Sequence, residues 1–427
     1  MTSVLNPLRH QQPATRRLLV GEMAGLLAGA STQTTLAWWI AHSGGSGDLA
    51  RYGAAMAICA MVALPLMSPL GDRWAKHRVV RYARGVLLIE ALALAAMAFT
   101  HVYSWPMLCL CGALSAVSNA ALMPAQASML PELVSADRLP EAIRLRRGFQ
   151  AAGGLMGPAL SGALLALHGI AAAMMGALLL MVVAAGMAMR LESPQVLRSS
   201  AASAGWLGDM RAGLRAKWCV PVDRWWTLAG ALMMVFFLPT TGLLLPLRLQ
   251  SLGLSGGWFG ACGAALSLGV MAGVAGLADA LIRRLDRVRA IAVALGICGC
   301  AMGAAGLCDH ALALVALFAL MGICMSVTQL VGQTHRMLAV PEAFRSRMAA
   351  AQLTLAHLAA TVAPAVAGAL LTGWCVDAVY LWMAAGFLVS GGLLLAVPDF
   401  RPFLRLDHAR VKNWYGQQYP EAFMPRP

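Results

Sequence analysis

The chain has 427 residues, of which 60% are hydrophobic and only 12% charged, and its formal net charge is +14. So small a charged fraction cannot cover a water-facing surface, which excludes an ordinary soluble domain and makes lipid the main solvent. The positive charge is dispersed between apolar runs rather than gathered on one soluble face, which argues against a nucleic-acid partner.

A helix crosses the hydrocarbon layer with about 20 mostly apolar residues. Such runs are predicted at 18–42, 50–69, 80–100, 105–128, 143–167, 171–189, 226–247, 257–281, 290–307, 311–334, 349–372 and 379–397. The first run lacks a small-residue cleavage site, is too long for the apolar part of a signal peptide and contains Glu22, so it reads as a span and not a cleavable leader. The expected fold class is an all-α membrane protein of twelve transmembrane helices.

Basic residues fall in alternate connections. With the N-terminus inside, one side carries Arg9, Arg16 and Arg17, then Arg73, Lys76, Arg78, Arg81 and Arg84, then Arg138, Arg144, Arg146 and Arg147. Clusters from Arg190 to Arg224, Arg283 to Arg289, Arg336 to Arg347 and Arg401 to Arg426 continue the series, whereas the other side has only Arg51 and Arg248 among 32 basic residues. This asymmetry places both termini on the cytoplasmic side, and the expected location is a bacterial inner membrane. The ten cysteines lie mostly inside predicted helices, and the Cys109/Cys111 and Cys298/Cys300 pairs point to different helix faces, so neither a metal nor a disulfide is expected.

Between the sixth and seventh spans the chain turns polar and serine-rich, then places Trp206, Met210, Leu214 and Trp218 at helical spacing, as in an amphipathic helix lying on the membrane surface. Across this linker the halves echo each other. Gly157 to Leu165 reads GPALSGALL and Ala363 to Leu371 reads APAVAGALL, while Leu70-Gly71-Asp72 has a counterpart in Leu277-Ala278-Asp279, at offsets of 206 and 207 residues. The expected organisation is two six-helix bundles, 1–190 and 225–398, joined by the linker 191–224 and followed by a cytoplasmic tail 399–427. Because six is even, the bundles share one orientation and are related by a pseudo-twofold axis along the membrane normal.

A carboxylate at the bilayer centre costs about 2.5 to 3.5 kcal/mol on the insertion scale, so acids there are functional candidates. Glu90 is the deepest, mid-span in Leu87-Leu88-Ile89-Glu90-Ala91-Leu92; Glu22 and His357 are the other candidates for proton coupling. Glu22 lies close enough to Arg17 to snorkel to the surface instead.

Three stretches bring a family into view. Ser68-Pro-Leu-Gly-Asp-Arg-Trp-Ala-Lys-His-Arg78 resembles the loop between the second and third helices of the major facilitator superfamily, a glycine, an acid and an arginine before a basic cluster. The resemblance implies a cytoplasmic gate built from Gly71, Asp72, Arg73, Lys76 and Arg78, with Asp279 as its echo; Ser68 and Ala75 stand where the family usually has glycine. In the fifth span, Gly153, Gly157, Pro158 and Gly162 fit G-x-x-x-G-P-x-x-S-G, which resembles the antiporter signature associated with exporters, with Ser161 in place of a glycine. Met129 to Ala142, MLPELVSADRLPEA, is similar to the loop between the fourth and fifth helices of the transmembrane secretion effectors, a branch that includes macrolide exporters and the enterobactin exporter. The tail from Asp407 to Phe423 resembles those of exporters of siderophores such as alcaligin and vibrioferrin.

The family lines its cavity with helices 1, 4, 7 and 10, which makes Gln33, Asn119, Thr240, Thr241 and Gln329 the substrate-binding candidates. The arginine that its drug-proton antiporters usually carry in the fourth helix has no counterpart between Trp105 and Gln126, so proton coupling rests on the buried acids alone. The resemblance implies a monomeric secondary exporter of a small polar metabolite, a siderophore first, working by alternating access and coupled to proton influx. Alternatives are a multidrug or macrolide efflux transporter, a lysophospholipid flippase and a non-transporting sensor. Its expected partners are a small-molecule substrate, protons and the lipid bilayer. No H-E-x-x-H or phosphate loop occurs and no long soluble segment could house a site, so neither an enzyme nor a cofactor is expected.

Overall fold

A computed structural model of the chain describes residues 13–67, 75–134, 139–191, 206–341, 344–397 and 399–423. Every regular element among the described residues is helical, as lipid requires: with no water to satisfy backbone N–H and C=O groups, a helix satisfies them within itself. Nine helical stretches among the described residues are long and apolar enough to cross a membrane.

The chain forms two compact units, Met1–Arg198 with Leu249–Ala264, and Ser199–Arg248 with Ala265–Pro427. In the first unit, α1 (Pro13–Met67) packs chiefly on α4 (Leu139–Met189) and α3 (Trp105–Leu133), and α2 (Lys76–Phe99) on α3 and α4. Two of these helices are broken. Gly45 in α1 has φ 71° and Gly169 in α4 has φ 79°; the left-handed region suits glycine because it lacks Cβ. Each break falls in a gap between predicted spans, 42 to 50 and 167 to 171.

The second unit begins with α5 (Trp206–Cys219), where the surface helix was expected, then α6 (Pro221–Gly242) and the short α7 (Leu244–Ser251). Next come α8 (Gly256–Ala272), whose start belongs to the first unit, a π turn at Gly273–Leu277 and α9 (Ala278–Leu285). Then follow α10 (Arg287–Leu307), α11 (Ala311–Ala339), α12 (Arg345–Leu371) and α13 (Val376–Leu395). Helix α10 lies against α13 and α11, and α6 against α13 and α12. Small residues set the approach of α10 to α13: a Cβ added at Gly306 would stand 2.5 Å from that of Tyr380, and one at Gly303 3.5 Å from that of Ala384.

Three short helices close this unit, α14 (Phe400–Arg405), α15 (His408–Val411) and α16 (Trp414–Gln418). They do not trail away. Phe400, Phe403, Leu404, Val411 and Tyr415 are buried, and the Phe400 ring meets Trp226 of α6 edge-on at 4.8 Å.

Candidate functional site

The first unit holds two buried carboxylates with different neighbours. Glu22 on α1 does not snorkel. It is buried and gripped by Arg146 of α4, whose Nε donates to Oε2 at 2.7 Å and whose Nη2 donates to Oε1 at 2.8 Å, while Gln150 Nε2 donates to Oε1 at 2.9 Å. Buried Arg84 of α2 lies in the field of the same carboxylate, and its guanidinium fills space that Gly25 leaves by having no side chain. Two cations and an amide around one acid form a complete polar network, the condition under which buried charge is tolerated.

Among the described residues Glu90 has no such cation. At 5% exposure on α2, it lies close to the Ser115 side chain of α3 and in the electrostatic neighbourhood of Tyr52 on α1. Asn119, one turn beyond Ser115, donates to that residue's carbonyl at 2.9 Å and to its hydroxyl at 3.4 Å. Ser115 thus stands between the coupling candidate Glu90 and the substrate candidate Asn119, which is itself exposed. Gln33 of α1 is exposed too, beside threonines whose hydroxyls are turned inward: Thr34 donates to the Ala30 carbonyl and Thr35 to that of Ser31, both at 2.9 Å.

The glycine-proline segment of α4 packs tightly on two sides. A Cβ at Gly153 would stand 2.9 Å from that of Leu26, and one at Gly157 2.5 Å from that of Ala30. On the other side, a Cβ at Gly162 would lie 2.5 Å from the Gly260 Cα, and one at Gly263 3.0 Å from the Pro158 ring. Ser161 turns its hydroxyl back to the Pro158 carbonyl at 3.0 Å.

The second unit is organised by Asp223, in the first turn of α6 and 1% exposed. Lys217 of α5 reaches its Oδ2 at 2.6 Å, and Arg336 of α11 donates from Nε to its Oδ1 at 2.7 Å. Arg336 also donates to Thr227 at 2.5 Å and to Gln352 of α12 at 2.9 Å, and the Tyr415 hydroxyl of α16 donates to Asp223 at 3.5 Å. Burial, then the neighbouring Arg336, push the Lys217 ammonium from 10.5 down to about 8, against the pull of Asp223. Burial beside Asp223 holds the Tyr415 phenol well above its usual range.

In the same unit, buried Arg248 of α7 donates to Asp377 at 2.5 Å and to Asp309 at 2.8 Å. The Thr240 hydroxyl is buried and donates to the Phe237 carbonyl at 2.6 Å, so it is spent on the helix; its own carbonyl accepts from the Tyr380 hydroxyl at 2.8 Å. Thr241 does likewise, to Leu238 at 3.1 Å. Gln329 is exposed on α11, and His357 is half-buried on α12, its carbonyl accepting from Thr361. Gly71, Asp72 and Arg73 lie outside the described residues. Of the other gating candidates, Lys76 opens α2, Arg78 is exposed in its first turn, and Asp279 is exposed at the start of α9.

Residues 18–311 match the Major Facilitator Superfamily. The chain belongs to that family. Solved structures with the same fold include a bacterial homologue of the iron transporter ferroportin in an inward-facing state, at 16% identity over 93% of this chain and 100% of that one, with a TM-score of 0.66. The nucleoside transporter NupG aligns at 11% identity over 93% and 100%, with a TM-score of 0.69. The POT family transporter PepTSo aligns at 12% identity over 93% and 99%, with a TM-score of 0.70. At such identities the likeness is one of fold. No curated protein matches the chain. Within this Major Facilitator Superfamily transporter, the sequence singles out Glu22 without its partners Arg146 and Gln150, and gives no sign of the Asp223 network or of the acids that Arg248 meets. Arginines 146 and 336 were counted as topology markers; the one usable signal was Arg248, an arginine on the side that otherwise has almost none.

Proposed function

We propose that this transporter is a monomeric secondary exporter of a small polar metabolite of the siderophore class, working by alternating access and driven by proton influx across a bacterial inner membrane. The observation that carries the reading is the packing of α4: Gly157 and Gly162, the small residues of the antiporter-like segment, sit where the helix meets Ala30 on one side and Gly260 on the other. Small residues at a crossing let helix backbones approach closely, and packed helices move past each other by small shears. Glu90, buried beside Ser115 with no cation against it among the described residues, and Asn119, which bonds that serine, support a link between protonation and substrate. Twelve spans follow if α1 counts as two at Gly45 and 152–189 as two at Gly169, beside the other eight apolar stretches. With both termini cytoplasmic, Asp72, Arg73 and Asp279 fall at the cytoplasmic gate, in bundles 1–190 and 225–398.

The test is deletion in a siderophore-producing host grown without iron. Secreted siderophore falls and the intracellular pool rises; normal secretion with new sensitivity to lipophilic drugs transfers the assignment to drug efflux. For the gate, Asp72→Asn lowers transport and changes the labelling of cytoplasmic cysteines, and a variant unchanged in both removes Asp72 from it.

A further inference from the structure

Arg289 near the start of α10, and Arg401 and Arg405 of α14, line a cavity of about 240 Å³ whose walls include Val288, Ala292 and Leu395. All three arginines are exposed, and none has an ion-pair partner among the described residues. The acid in the lining, Asp286, is already engaged, accepting from the Val288 N–H at 2.7 Å. What remains is a cavity with three uncommitted guanidiniums at its edge and an apolar wall supplied by two membrane-spanning helices, α10 and α13. Guanidinium binds phosphate through paired N–H groups, and arginines at a membrane surface attract anionic lipid. A free phosphate has no use for Ala292 or Leu395, whereas a phospholipid offers a phosphate to the arginines and an acyl chain to that wall.

We propose that this cavity binds the phosphate headgroup of an anionic phospholipid from the leaflet at the arginine-rich ends of the spans. The proposal rests on the membrane reading of the fold but not on any substrate, and its readout is lipid retention rather than transport, so it fails separately from the exporter assignment. The full chain, purified in detergent with equal phosphatidylglycerol and phosphatidylcholine, is examined by native mass spectrometry. The parent retains phosphatidylglycerol in preference. The combined Arg289→Gln, Arg401→Gln and Arg405→Gln variant retains about ten-fold less, the corresponding three-lysine variant recovers part of the loss, and Arg283→Gln with Arg284→Gln, outside the cavity, matches the parent. Equal retention by the three-glutamine variant overturns the proposal. So does an equal loss in the Arg283 and Arg284 variant, or displacement of the lipid by millimolar inorganic phosphate. If the three-glutamine protein is not monodisperse, the single glutamine variants decide: at least one must lose retention.

Discussion

Glu90 faces a serine where Glu22 faces two arginines, and the neighbours separate what the two acids can do. A buried charge is tolerated where cations match it, whereas an acid with only hydroxyls beside it has no such compensation. Glu90→Gln mimics the protonated acid and keeps a partner for Ser115. Reconstituted into proteoliposomes, it is expected to fold normally, bind substrate and exchange it, but to lose accumulation under an imposed pH gradient; accumulation with an unaltered pH profile would return Glu90 to a purely structural role. Lys217 gives a residue-scale test of stability. In the folded chain it gives up its proton near pH 8, in the unfolded chain near 10.5. Between those values the unfolded chain binds more protons, so folding becomes more favourable as pH rises. Tyr415, held above its ordinary value of 10, opposes this only beyond that pH, which leaves pH 8 to 10 as the window. There the melting temperature of the parent is expected to rise relative to that of Lys217→Met, and parallel curves would show that the lysine titrates normally.

At the scale of elements, α4 was the most legible part of the transporter. The spacing of Gly153, Gly157 and Gly162 announces a close-packed helix, and the structure finds Leu26, Ala30 and Gly260 against them. The breaks at Gly45 and Gly169 were equally visible, because no apolar run continues through a Ser-Gly-Gly-Ser or His-Gly pair without loss of hydropathy. The Asp223 network was not visible. Its partners lie 6, 113 and 192 residues away, and nothing local marks an arginine in a last helical turn as the mate of an acid in a distant first turn. The setting of Thr240 was hidden for a different reason: a threonine looks the same in sequence whether its hydroxyl faces outward or bonds the carbonyl of Phe237. The packing of α4 makes a direct prediction. Gly162→Leu places a branched side chain where a single added carbon would stand 2.5 Å from the Gly260 backbone, an overpacking of about 1 to 3 kcal/mol. Export is expected to drop with little loss of membrane insertion, and Gly162→Ala to fall between; full activity in the leucine variant would show that the crossing opens freely.

At the scale of the whole molecule, the second unit is finished by segments outside its long helices. Lys217 comes from the connection before α6, and Tyr415 from the helices after α13, yet both meet at Asp223. A chain shortened after residue 397 is expected to insert and then lose stability. It leaves Trp226 without Phe400 and uncovers the aspartate network, and buried polar groups left exposed or half-paired cost about 1 to 3 kcal/mol each. Thermal denaturation in detergent measures this, and an unchanged midpoint would make the tail an appendage. The same closure sets an order of events during biosynthesis. Asp223 leaves the ribosome 192 residues before the tyrosine that caps it, an interval of about 10 to 40 s at ordinary elongation rates. Throughout that time Arg336 and then Gln352 arrive at an aspartate still open to water, and the insertion machinery handles a unit whose polar seam is unsealed.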